Sequence, residues 1–129
     1  MVVSANLRHV TEQQIDELMT QVKGVKAIVV ASEDGFEVAA RVQNAAQISR
    51  LSAMASSIAA LGAMAGAESQ LGDCHSLLMQ ADFGHIVIVQ VRRADVSLIV
   101  SVITDQDAVV GQVLYASKKM AQTLRDTSA

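Results

Sequence analysis

Four groups of side chains are of the types that do chemistry. Cys74, His75 and His85 are candidates for a metal site or for a thiol–imidazole nucleophile. Their spacing argues against both. A hairpin turn centred on Phe83 puts His85 opposite Ala81, with His75 about six residues further along its strand. At about 3.3 Å per residue the two imidazoles then stand roughly 20 Å apart. Cys74 and His75, as neighbours on a strand, point to opposite faces. Glu33 and Asp34 form an adjacent carboxylate pair, but beside Gly35 they read as solvated turn residues. Asp105 and Asp107 suit the capping and dipole of a following helix. Arg92-Arg93 suits a hairpin tip, not a nucleic-acid patch. No G-x-x-x-x-G-K-[ST] loop and no G-x-G-x-x-G turn is present. The sequence therefore predicts no catalytic residue, no cofactor-binding residue and no metal.

Composition narrows the function classes further. The chain has 129 residues, 51% of them hydrophobic and 18% charged, with a net charge of −3. That length predicts one domain over residues 1–129, and that apolar content is too high for a disordered chain. The acidic balance excludes broad phosphate-backbone binding. Only Phe36, Phe83 and Tyr115 are aromatic, too few for base-stacking platforms. A single cysteine excludes a disulfide framework. No apolar run approaches the roughly 18–20 residues of a membrane span, so no membrane insertion is expected. The N-terminus lacks the basic and apolar regions of a signal peptide. A cytoplasmic protein is the simplest reading.

The elements follow from periodicity and turn chemistry. Thr11-Glu12-Gln13-Gln14 reads as a capping box, and Ile15, Leu18, Met19 and Val22 form the apolar stripe of a first helix that Gly24 ends. Residues 25–31 and 36–42 are strand-like and flank Asp34-Gly35, the signature of a type I′ hairpin. A long helix over 47–68 carries Ile48, Leu51, Met54, Ala55, Ile58, Leu61, Gly62 and Ala65 on the face expected to be buried. Strands over 74–81, 85–92 and 96–103 form an antiparallel meander, apolar on both faces and so covered on both. A last helix spans 107–124. The order is α-β-β-α-β-β-β-α, an α+β chain.

The other face of the long helix carries Ser49, Arg50, Ser52, Ala53, Ser56, Ser57, Ala60 and Met64. Small residues stand there where a solvated helix shows Lys and Glu, which suits the close approach of another helix. Gly62 and Gly66 carry the same close-packing meaning. Arg50 projects from this face, either as a solubilising charge or as a group presented to a partner. Met64 suits an adaptable contact at a partner surface.

The element order and three stretches resemble the roadblock/dynein light chain family. These are the hairpin Ala27-Ile28-Val29-Val30-Ala31-Ser32-Glu33-Asp34-Gly35-Phe36-Glu37-Val38-Ala39, the helix start Leu51-Ser52-Ala53-Met54-Ala55-Ser56-Ser57, and Val109-Val110-Gly111-Gln112-Val113-Leu114 in the final helix. The likeness spans essentially the whole chain. It implies a profilin-like sandwich with a five-stranded antiparallel sheet in the order 2-1-5-4-3. The long helix covers one face and the two shorter helices cover the other. It also implies a homodimer with third strands paired edge to edge and long helices side by side. Ser76-Leu77-Leu78-Met79-Gln80 agrees, because this edge carries none of the charge or proline that blunts exposed edges. Leu77, Leu78, Met79, Ser56 and Met64 are the expected dimer contacts. Arg50, Ala53, Ser57, Ala60 and Met64 are the expected contacts to a further partner. By resemblance that partner is a small Ras-like GTPase, bound by a non-enzymatic adaptor that modulates it or links it to a larger complex. A small-ligand sensor of related fold is the alternative. Inner positions filled by Val, Ile and Leu argue against it.

Overall fold

Ser4 opens the first helix, α1 (Ala5–Gln21), in a computed structural model that describes residues 3–128. Its hydroxyl accepts from the Leu7 amide at 3.1 Å. Thr11 is therefore not the cap that the sequence pattern suggested. It lies inside the helix, fully buried, and its hydroxyl donates to the Leu7 carbonyl at 2.7 Å. A threonine satisfied by the carbonyl four residues back has the same local sequence as a cap. Leu7, Thr11, Ile15 and Leu18 form the buried stripe. Gly24 (φ +90°) turns the chain so close to the Asp105 region that a Cβ there would lie 2.7 Å from Asp105 Oδ1.

β1 (Val25–Ser32) and β2 (Glu37–Arg41) form the first hairpin. Its turn is not type I′, which needs positive φ at both central residues. Only Gly35 is positive (+93°), its amide donates to the Ser32 carbonyl at 3.0 Å, and the Ser32 amide donates to the Phe36 carbonyl at 2.8 Å. This is a tight turn closed by a glycine bulge. The buried Ser32 hydroxyl favours it by accepting from the Phe36 amide at 3.1 Å and donating to the Asp34 carboxylate. That bond holds the Asp34 carboxyl below its usual range.

A 3-10 turn (Ala45–Gln47) leads into α2 (Ile48–Glu68), followed by β3 (Ser76–Ala81), β4 (Gly84–Val91), β5 (Leu98–Asp105) and α3 (Val110–Asp126). The sheet order is β2-β1-β5-β4-β3 with antiparallel neighbours, as the resemblance implies. The pleat sorts the side chains. Val87, Val89, Val100 and Val102 join Leu7, Leu18, Met120 and Leu124 in a core under α1 and α3. Ile88 and Ile99 face Ala55 and Ala59 of α2.

The ends of α3 differ from expectation. Its N-cap is Val109, with no side-chain cap. Asp105 accepts from the Asp107 amide at 2.9 Å in the preceding turn, and neither aspartate caps the helix. At the other end Arg93 does the capping. Its guanidinium donates to the Leu124 carbonyl and, at 2.7 Å, to the Thr127 carbonyl. The same group pairs with Asp95 at 2.9 Å and 3.0 Å, which holds the Asp95 carboxyl down to about 2. Arg93 is thus a structural clamp, a role its place in a turn did not reveal.

Candidate protein-docking surface

The long helix sits on the sheet through its smallest residues. Ser52, Ala55 and Ala59 are its buried positions. Short side chains let the backbone approach, so the helix turns this stripe inward and leaves wider apolar residues at the flanks. Met54 and Leu61, expected inside, are 52% and 64% exposed. Ser52 and Ser56, expected outside, turn in. The Ser56 hydroxyl donates to the Glu33 carbonyl at 2.7 Å and pins the β1–β2 turn. At the helix end Gly62 and Gly66 admit the segment leading to β3. A Cβ on Gly66 would lie 2.5 Å from the Gly72 carbonyl oxygen, and one on Gly62 2.9 Å from Leu77 Cδ1. The G-x-x-x-G spacing is used inside the chain.

The outward face then carries Arg50, Ala53, Ser57, Ala60 and Met64, all exposed, with Met64 at 67%. Beside it runs β3, which pairs only with β4 among the described residues. Leu77 is half-buried against α2, whereas Leu78 and Met79 are 46% and 47% exposed. The surface so formed is apolar and lacks carboxylates from Ile48 to Ala67.

The chemically tempting residues do not converge. His85 stands opposite Gln80, one step from the expected Ala81, because Gly84 already pairs with Ala81. Its Nδ1 lies 3.3 Å from Thr104 Oγ1. His75 lies beyond the strand's start and its carbonyl accepts from the Gln90 amide at 3.0 Å. Cys74 Sγ donates to the Ser76 carbonyl at 3.6 Å. Among the described residues no three His, Cys, Asp or Glu side chains gather as metal ligands. A cleft of about 730 Å³ opens between α1 and α3, lined by Gln14, Gln21, Gln112 and Tyr115 among others.

The expectation that no stretch reaches membrane length does not hold. The stretch Ala45–Glu68 is long and apolar enough to cross a membrane by length and composition alone. Its alanines, serines and glycines conceal this, since none is strongly apolar and Arg50 interrupts the run only once. The helix lies along the sheet, held by Ala55 and Ala59.

A five-stranded 2-1-5-4-3 sheet with one long helix on one side has a known counterpart, and residues 11–101 match the Roadblock/LC7 domain. The chain belongs to the Roadblock/LC7 family. No curated protein sequence matches it. Among solved structures it superposes on the gliding protein MglB of Thermus thermophilus with a TM-score of 0.83 at 12% identity, covering 97% of this chain and 93% of that one. A Roadblock/LC7 domain from Streptomyces avermitilis gives 0.79 at 18% identity, covering 88% and 92%. MglB in a tetrameric arrangement gives 0.84 at 13%, covering 97% and 92%. At such identities the likeness to these structures is one of fold. At family level the Roadblock/LC7 match supports a regulator of small-GTPase-type systems.

Proposed function

We propose that this Roadblock/LC7 chain, acting as one domain over residues 1–129, is a non-enzymatic homodimeric platform. It binds a small Ras-like GTPase and either modulates its turnover or links it to a larger assembly, in the cytoplasm and in a signalling role. The observation that carries the reading is the unfinished side of α2, where Leu61 and Met64 lie 64% and 67% exposed beside the open edge of β3. Apolar side chains next to an open strand edge favour burial by a second copy. Pairing of β3 with its equivalent buries Leu78 and Met79. The outward residues Arg50, Ala53, Ser57 and Ala60 then form a flat helical surface with few long side chains to immobilise, which lowers the ordering cost of binding. The tetrameric arrangement of an MglB neighbour is consistent with self-association.

Light scattering at low micromolar concentration should give twice the 13.6 kDa chain mass, and Leu78→Lys should shift it toward the monomer or to aggregates. A monomeric wild type overturns the dimer. Affinity purification of the chain should retain a GTPase that Ala60→Arg loses without unfolding. Arg50→Ala then separates two mechanisms for that GTPase. A change of about tenfold or less in its turnover means docking by a platform. A loss of about 10³-fold or more means an arginine inserted at the reacting phosphate. The first outcome is expected, because Arg50 sits on a rigid helix.

A further inference from the structure

The first turns of α2 and the start of β1 bound a second groove, of about 370 Å³. Its rim is Lys26, Gln43, Gln47 and Arg50, and its floor includes Leu51, Met54 and Ile103. We propose that this groove binds an acidic segment of a partner protein that carries an aliphatic side chain.

The backbone is arranged to bring the cation there. In a regular strand Lys26 and Ala27 point to opposite faces. Here both line the groove, because β1 bulges against β5: Val25 pairs with Thr104 and Ala27 with the adjacent Ile103, leaving Lys26 as the extra residue. Bulges re-aim side chains in this way. Arg50 comes from the opposite wall. Among the described residues neither cation has an ion-pair partner, whereas Arg41 and Arg93 are paired with Asp16 and Asp95. No Asp or Glu lines the groove, although the chain as a whole is acidic at −3.

Two cations above an apolar floor select both halves of the ligand. Carboxylates match Lys26 and Arg50, and Arg50 offers a planar fork suited to them. Gln43 and Gln47 supply the donors and acceptors that a peptide backbone needs. Met54, half-exposed and flexible, with Leu51 and Ile103, accepts an aliphatic side chain. The groove has no aromatic ring for stacking a base, and two cations are too few for a phosphate backbone. The site lies within one protomer, so it stands whether or not the chain dimerises and whatever fold the partner has.

Fluorescence anisotropy with labelled octapeptides tests this, using alternating Glu and Leu, alternating Lys and Leu, and polyglutamate. The Glu-Leu peptide should bind saturably, the Lys-Leu peptide should not, and polyglutamate should bind at least tenfold more weakly. The exposed double substitution Lys26→Glu with Arg50→Glu should weaken the Glu-Leu peptide tenfold or more while leaving circular dichroism unchanged. Met54→Ser should weaken it without altering its salt dependence. The proposal is overturned if no peptide binds up to millimolar concentration, if sign does not matter, or if the charge reversal is silent. Binding of phosphatidylserine vesicles without any peptide binding would assign the groove to an acidic membrane surface and overturn it equally.

Discussion

Under α1 and α3 the sheet is finished: Leu7, Ile28, Val100 and Leu124 are buried to 1% exposure or less. The buried Thr11 and Ser117 hydroxyls there each donate to a carbonyl one helical turn back. Under α2 the helix contributes only small buried side chains, Ala55 and Ala59, against Ile88 and Ile99 and the buried Val29 and Ala31 of β1. Two buried hydroxyls, Ser52 and Ser101, have no partner among the described residues, and Leu61 and Met64 lie outside. One layer is therefore a completed core, and the other is a thin spacer whose apolar investment points away from its own sheet. The first layer holds the greater part of the buried core, and the second carries the surface of the proposed association.

The sharpest way to break this contrast is a matched pair of truncations. Leu124→Ala should cost about 2–5 kcal/mol in denaturant unfolding, as a cavity in a closed core does. Leu61→Ala should stay within about 0.5 kcal/mol for the monomer and act instead on the dimer constant. Equal losses in monomer stability would erase the distinction. Next in size is Gly66→Ala, expected to cost about 1–3 kcal/mol, because its methyl meets the Gly72 carbonyl oxygen at 2.5 Å. It would mark a place where the thin layer is tight against backbone.

Arg93→Ala tests the completed layer at its edge. It frees the Leu124 and Thr127 carbonyls and should cost about 1–3 kcal/mol. Asp95 is held to about 2 in the folded chain, chiefly by the Arg93 hydrogen bond, against an ordinary 3.8. A depressed carboxyl contributes stability that is present above its unfolded pKa and lost as pH falls through the folded one. Wild-type stability should therefore decline from about pH 4 toward about pH 2, with a shallower decline in the variant followed by circular dichroism. The smallest effect belongs to Ser52→Ala. Removing an unpartnered buried hydroxyl should leave stability unchanged or raise it by about 1 kcal/mol. A clear loss would mean that this hydroxyl is satisfied after all.

Much of the fold was legible because its signals are strong. The meander's β-branched runs and the Asp34-Gly35 turn placed the strands to within a few residues. The face of α2 was not legible. Hydrophobicity ranks Leu61 and Met54 as inner residues, but here the depth of approach is set by Ser52, Ala55 and Ala59, and periodicity does not measure depth. At the proposed interface, Leu78, Met79, Arg50, Ala53, Ser57, Ala60 and Met64 lie exposed, whereas Leu77 and Ser56 are spent largely within the chain. The Lys26 bulge and the Arg93 clamp depend on partners far along the chain. No local pattern carries them.

The start of α1 and the segment after α3 meet. Asn6 Nδ2 donates to the Ser128 carbonyl at 2.9 Å across a sequence separation of 122 residues. A short peptide bridge from the end of α3 back to the start of α1 would turn the polypeptide into a ring. The folded geometry would barely notice, while the unfolded chain would lose much of its freedom to spread. New ends could then be opened elsewhere on the surface.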